Sequence, residues 1–309
     1  MSIPKFSKQS IILRVPASTS NLGSGFDTLG LAIDLPLTVK FTISNAGKKI
    51  RAQGEGATLI QQKENNLLLQ AFDRACREMR RESPPLKIEI DNRIPLKRGL
   101  GSSGAAVVAG LVGANILLGK KLSPQHLLNL AHEIEGHPEN ASASLFGGLT
   151  VNGAENGNVQ FNRFVLPDDW VAVAFIPELE IATHEARRVL PESLPRADAI
   201  KNVQRVAVLV SAFAKRDPSL LKFGVQDWLH QPYRKALIPG FDDFLAAADR
   251  AGAFAAFLSG SGSTILAICA KRQAKKVVAA LAEAAIQNKL TGKAAVLKFD
   301  RQGAREILK

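Results

Sequence analysis

Two cysteines, Cys76 and Cys269, are all that this 309-residue chain contains. Both sit inside apolar-periodic segments without a nearby Cys or His, which excludes a disulfide framework and a cysteine zinc site and leaves reduced core thiols. Aromatic residues are scarce, at 6%. No stripe of Lys and Arg interleaved with aromatic rings appears, which argues against a nucleic-acid surface built on base stacking. Long apolar runs are missing too. The longest uncharged stretch, residues 99–119, holds Ser, Asn and several Gly, and its apolar part, residues 105–118, is too short to span a bilayer. Residues 1–10 lack an apolar signal-peptide core, so a cytoplasmic protein without a membrane partner is expected. There is no internal repeat and no low-complexity linker.

What is present is an ordinary globular mixture: 46% hydrophobic and 22% charged residues, enough to bury a sizeable core. Lys and Arg outnumber Asp and Glu by 40 to 28, a net charge of +12. That balance suits anionic partners, and phosphorylated or carboxylated small molecules qualify as well as nucleic acid. Alternation and β-rich composition predict strands over residues 10–16, 37–44 and 86–90. Helical spacing predicts helices over 66–81, 103–118 and 123–135, the second apolar all round and therefore buried, the third opened by Ser123 and Pro124. Residues 147–152 and 159–164 form a hairpin pattern. A second half begins at the strand 171–176. It continues with helices over 199–215, 242–251 and 271–285 and strands over 254–258, 264–269 and 294–298. This mixed order predicts an α+β protein of two domains, 1–166 and 167–309.

Three Gly/Ser segments carry the chemistry. Pro95, Leu96, Lys97, Arg98, Gly99, Leu100, Gly101, Ser102, Ser103, Gly104 and Ala105 run directly into the buried helix. Glycines admit a bulky anion close to the backbone, and the free N–H groups and dipole of a helix start favour negative charge. The hydroxyls of Ser102 and Ser103 add donors or a magnesium contact. This is a phosphate cradle, yet neither a Walker A loop nor a dinucleotide G-x-G-x-x-G pattern, and read alone it is equally a tight turn opening a helix. The segment 16–27 is crowded with Ser, Thr, Asn and Gly and ends on Asp27; residues 17–30 read as a loop. The segment 259–264, Ser-Gly-Ser-Gly-Ser-Thr, reads as a hairpin turn whose glycines let it approach another loop or a ligand.

The three segments, in this order and spacing, resemble the three motifs of the GHMP kinase superfamily, which takes in galactokinases, homoserine kinases and mevalonate kinases. Within it the homoserine kinase form is nearest: Asn21, Gly25, Phe26 and Asp27; the run Glu135-Gly136-His137-Pro138-Glu139-Asn140 ahead of Gly147-Gly148; Thr183-His184-Glu185-Ala186-Arg187 ahead of Leu190-Pro191; and Arg234 ahead of Leu237-Ile238-Pro239-Gly240. Two positions depart from the family pattern, Gly104 for Ala and Glu139 for Asp.

The resemblance implies an N-terminal domain like domain 2 of ribosomal protein S5, a ferredoxin-like C-terminal domain and an active site between them. It implies ATP and Mg²⁺ as cofactors and L-homoserine as substrate, in a step of threonine biosynthesis, and leaves a homodimer open. Residues 95–105 would bind ATP, with Asn66 near the adenine. Ser103 and Glu135 would hold magnesium, since Mg²⁺ takes carboxylate oxygens beside substrate phosphates. Ser103, Glu135 and Asn140 would carry catalysis. Asn140 stands where relatives place an Asp; an amide cannot accept the hydroxyl proton, so catalysis would rest on positioning and electrostatics. Arg187 and Arg234 would clamp the substrate carboxylate, Asn21 and Asp27 would hold its amino and hydroxyl end, and Thr183 and Gly260 would complete the pocket. Glu139 reads as a surface or supporting residue. Other readings are a GHMP kinase for mevalonate or a cytidyl-erythritol intermediate, and an RNA-binding protein with an S5-like fold.

Overall fold

The structure, a computed structural model, describes residues 7–45, 47–62 and 66–308. Part of the N-terminal segment read for a signal peptide, residues 1–6, lies outside them. The first half runs β1 (Ser10–Asn21), β2 (Gly25–Ile43), β3 (Lys49–Gly54), α1 (Ala57–Gln61), α2 (Leu67–Glu78), β4 (Leu86–Asn92), α3 (Ser102–Leu117), α4 (Pro124–Glu135), α5 (Glu139–Phe146), β5 (Leu149–Glu155) and β6 (Asn158–Phe164). The second runs β7 (Trp170–Pro177), α6 (Thr183–Arg188), α7 (Arg196–Lys215), α8 (Leu221–Gly224), α9 (Gln231–Arg234), α10 (Phe241–Arg250), β8 (Ala255–Leu258), β9 (Ile265–Ala270), α11 (Ala274–Gln287), β10 (Gly292–Leu297) and β11 (Arg305–Glu306).

The first sheet is ordered β11-β1-β2-β4-β3, with β5 and β6 added beside β2; only β3 and β4 pair parallel. Its inner face lays Leu13, Val39, Phe41 and Ile88 against Phe72 of α2 and Val108 of α3. Phe41 and Phe72 stack at 5.5 Å, and truncating either to Ala would cost about 3–5 kcal/mol. The expected buried helix is α3, with apolar burial on every side. The Ser123 cap forms as expected, its hydroxyl accepting from the His126 amide at 3.1 Å.

The second sheet is antiparallel and ordered β10-β7-β9-β8, which in chain order is strand 4-1-3-2, the ferredoxin-like arrangement. Helices α10 and α11 cover one face through Phe244, Val277 and Leu281. The other face joins the first core, where Trp170, Phe213, Phe257 and Leu266 belong to the same cluster as Phe41 and Phe72. The chain end crosses back: Phe299 bridges Ile33 and β11 pairs with β1.

The structure corrects the reading of residues 17–30 as a loop. β1 and β2 continue through them, pairing Ala17 with Ile33 and Ser20 with Gly30, and turn only at residues 22–24. Ser18, Thr19 and Ser20 are buried. Their short hydroxyl side chains resemble loop composition, but the strand ladder and neighbouring loops satisfy them. The sequence reading also missed β3, α1 and α5, which are short or strongly polar.

Candidate active site

The three Gly/Ser segments meet at the N-terminus of α3. The Ser18 amide donates to the Leu100 carbonyl at 3.2 Å, and the Gly260 amide to the Ser20 carbonyl at 3.1 Å. Ser259 Oγ reaches the Gly99 carbonyl at 2.6 Å and Thr19 Oγ1 at 2.8 Å. Two glycines are required by this contact. Gly99 has φ +71°, and a Cβ there would fall 2.0 Å from the Ser259 carbonyl oxygen. Gly101, with φ +67°, precedes the first turn of α3, and its Cβ would fall 2.0 Å from Ser18 Oγ. The loop is therefore pinned by protein on one side, while Ser102, Ser103 and Gly104, whose N–H groups lack intrahelical acceptors, line the cleft on the other.

That cleft, about 310 Å³, is lined by Pro95, Lys97 to Gly104, Glu135, His137, Asn140, Asn21, Asp27, Thr183, Arg187, Arg234 and Gly260. It brings together nearly every expected residue, from both halves of the chain. Three expected residues do not line it: Ala105 is fully buried in the core and lines no cavity among those described. Leu96 and Asn66 instead line an adjoining cavity of about 380 Å³ walled by Leu37, Ile60, Leu68 and Ile90, which shares Leu67, Lys97, Ser102 and Ser103 with the cleft. An apolar slot beside a phosphate cradle suits a nucleobase. Asn66 shapes its wall by capping α2: its Oδ1 accepts from the Leu69 amide and its Nδ2 donates to the Ile60 carbonyl.

At the cradle, Ser103 Oγ donates to Glu135 Oε1 at 2.6 Å. Burial raises the Glu135 carboxyl above the usual range, against the lowering effect of Ser103 and His137. A desolvated carboxylate with one hydroxyl partner at a phosphate site fits a cation ligand. Among the described residues no group of three or more His, Cys, Asp or Glu could hold a metal alone, so a cation here would need phosphate oxygens as well, as Mg²⁺ commonly does. His137 Nδ1 lies 3.2 Å from Glu139 Oε1. Burial disfavours the imidazolium, but the Glu139 carboxylate beside it wins and raises its pKa.

Of the two readings of Glu139, surface or supporting, its burial removes the first. It is 2% exposed, and its Oε2 has no hydrogen-bond partner. The carboxylate stands at the start of α5, where the helix dipole favours it. Its Oε1 accepts from Asn140 Nδ2 at 2.8 Å. Asn140 also donates to Ser20 Oγ at 3.0 Å and accepts from Ser18 Oγ at 3.0 Å. At the Gly104 departure a Cβ would lie 3.1 Å from Asn140 Cβ, a tight contact that asks Asn140 to give by a few tenths of an ångström.

At the far end, Arg187 on α6 grips Asp27 through three contacts of 2.8–3.0 Å. Asn21 spends both ends of its amide on protein: Nδ2 donates to the Gly260 carbonyl at 3.0 Å and Oδ1 accepts from the Asp27 amide at 3.0 Å. It therefore positions Asp27 more than it meets a ligand. Arg234 is 2% exposed, the largest fully buried side chain described. Its Nε donates to the Ala186 carbonyl at 3.0 Å and its Nη1 to the Gly260 carbonyl at 3.1 Å, and the Phe26 ring lies 5.2 Å from its Cζ. Among the described residues no carboxylate pairs with it. Burial, helped by the Arg187 charge, presses its pKa down to about 10. Phe26 carried part of the resemblance but no role in the site, and nothing in the local sequence of His230 marks it. In a larger cavity of about 490 Å³ the charged groups are spent on one another or on the backbone: Lys222 pairs with Asp249 and Lys235 with Asp242, and the buried Asp227 and Gln231 in its wall accept from backbone amides.

A helix-start phosphate cradle, a hydroxyl–carboxylate pair and an anion-seeking guanidinium in one cleft define a small-molecule phosphotransferase. The chain belongs to the GHMP kinases: residues 66–148 match the GHMP kinases N terminal domain and residues 209–287 the GHMP kinases C terminal domain. It is 38% identical over 298 residues to a homoserine kinase of Carboxydothermus hydrogenoformans, covering 96% of this chain and 97% of the relative. It is 41% identical to a homoserine kinase of Caldanaerobacter subterraneus, covering 95% and 94%. The crystal structure of homoserine kinase from Cytophaga hutchinsonii superposes with a TM-score of 0.88 at 30% identity, covering 99% of this chain and all of that one.

Proposed function

We propose that this cleft transfers the γ-phosphoryl group of ATP to the side-chain hydroxyl of L-homoserine. The near-full-length relatives bearing the homoserine kinase name support the reading. One observation of the site carries it: a buried Arg234 without a carboxylate partner stands beside Asp27. Homoserine is a zwitterion, and it supplies the missing carboxylate to Arg234 and Arg187 and an ammonium to Asp27. Mevalonate offers a carboxylate with no ammonium, and the cytidyl-erythritol alcohols offer neither.

The phosphates of ATP lie along residues 99–104 at the start of α3, and the base enters the apolar slot beside Asn66. Ser103 and Glu135 are the residues that would hold Mg²⁺, which neutralises charge on the phosphates when bound. Thr183 and Gly260 close the pocket wall. Asn140, fixed by Ser18, Ser20 and Glu139, orients the acceptor without taking a proton. The hydroxyl oxygen bonds to the γ-phosphorus as the bond to the ADP oxygen breaks, and the hydroxyl proton passes to an oxygen of the transferred phosphoryl group or to water; catalysis is mostly alignment and charge stabilisation.

An ADP-release assay with Mg²⁺-ATP tests this. Turnover is expected with L-homoserine and at most a small fraction of it with mevalonate or 4-diphosphocytidyl-methylerythritol. Equal rates with mevalonate would remove the substrate assignment and leave the family.

A further inference from the structure

Arg234 is buried among carbonyls and a ring, so something must fix which way its guanidinium faces. Behind it lies His230, fully buried. His230 Nε2 stands 2.9 Å from the Gly23 carbonyl oxygen and 3.4 Å from Asp227 Oδ2, so both of its neighbours are acceptors. His230 Nδ1 stands 3.3 Å from Arg234 Nη1, which can only donate. These partners assign the proton: it sits on Nε2, and Nδ1 offers its lone pair to the arginine. The ring is held flat against Phe26, with centroids 5.2 Å apart, and Phe26 in turn faces the guanidinium groups of Arg187 and Arg234.

We propose that His230, as the neutral Nε2–H tautomer, is a positioning residue that aims the Arg234 guanidinium at the substrate carboxylate. This rests on the reading of Arg234 as a carboxylate anchor. A proton on Nδ1 would set donor against donor and place a second positive charge beside the guanidinium. Burial guards against this, taking the imidazole pKa down to about 4; the Arg234 charge adds to that effect, while Asp227, Asp27 and the Gly23 carbonyl oppose it. The charged groups facing the ring are thus Asp227 and Arg234 around α9 and Asp27 from β2. Asp227 also accepts from the amides of Leu229 and His230, so the same carboxylate sets the turn that presents the ring.

Two substitutions divide the roles of the two nitrogens. His230→Gln keeps a donor near the Nε2 place and removes the acceptor for Arg234. His230→Asn keeps an acceptor near the Nδ1 place. With folding checked by thermal melting, kcat/KM would be measured for L-homoserine and for 3-aminopropan-1-ol, which lacks the carboxylate. His230→Gln is expected to raise the KM for homoserine roughly tenfold. Its preference for homoserine over the amino alcohol should fall by the same factor, with the KM for ATP unchanged. His230→Asn should recover most of that preference. Should Arg234→Ala erase the preference while His230→Gln leaves it intact, His230 has no such role and the substrate reading stands. Should Arg234→Ala itself leave the preference intact, the substrate reading fails first. Imidazole ¹⁵N shifts of the unaltered protein give a check that needs no variant: the neutral Nε2–H pattern for His230 is expected at pH 7, and a protonated or Nδ1–H ring would overturn the proposal.

Discussion

The Arg187–Asp27 pair must open for a zwitterion to bind between the two residues, and this fixes the sign of a measurable coupling. The pair makes three contacts of 2.8–3.0 Å, yet its side chains are 39% and 36% exposed, so screening leaves it about 0.2–1 kcal/mol. Arg187→Ala and Asp27→Ala should therefore stay folded. Each charge-assisted contact to substrate is worth about 1.5–3 kcal/mol. Subtracting the cost of opening the pair leaves a net loss of about 0.5–2.8 kcal/mol for either single variant, or roughly 2- to 100-fold in kcat/KM for homoserine. Each single variant also spares the enzyme that opening cost, and the double variant can spare it only once. The double variant should thus lose more than the product of the singles, by the energy of the pair, about 1.4- to 5-fold. ADP release at saturating ATP and subsaturating homoserine reads all four proteins. A double variant no worse than the poorer single would mean that the two residues act only as one structural unit. Singles within twofold of the parent would mean that the substrate binds elsewhere.

Glu135→Gln should separate stability from turnover. Because the folded carboxyl pKa lies above its ordinary 4.5, the stability present below that value is lost as pH climbs through the raised one. The Gln variant has no such loss, so without Mg²⁺ it should melt higher than the parent at pH 7 and not at pH 4. Its turnover should fall at least about tenfold, with a raised Mg²⁺ requirement. A parent-like magnesium dependence would place the ligand elsewhere. Asn66→Ala should cost about 1 kcal/mol in chemical denaturation through loss of the α2 cap and raise the KM for ATP without changing that for homoserine; an unmoved KM for ATP would detach this cap from the nucleotide slot.

Residues 105–118 announced α3 because no polar face interrupts them, and glycines at 99 and 101 marked the turn that opens it. Arg187 and Arg234 were legible only through resemblance, since an arginine in a sequence carries no sign of whether it is solvated or buried. Periodicity failed at Ser18, Thr19 and Ser20 because the partners that satisfy them, Asn140 and Ser259, are more than a hundred residues away. Glu139 was half legible for a different reason: its partners His137 and Asn140 are close in sequence, but a carboxylate is normally a surface group, and nothing local shows that α5 is packed so as to bury it. The role of Gly99 was only half legible. The need for a bare backbone was visible, but the Ser259 carbonyl that makes it necessary belongs to another loop.

The return of the chain end to β1 has a mechanical consequence. The two halves are tied once at residues 165–169 and again where Phe299 and β11 rejoin the first sheet. A body strapped at two points can rock about the line through both straps but resists twisting and wide parting. Wide parting would also bare Trp170, Phe213 and Leu266, which are buried in the joint core. Traffic through the cleft is therefore left to small parts. The six-residue α6, which buries only Ala186 and carries Arg187 as the latch on Asp27, is a segment whose displacement costs little apolar contact.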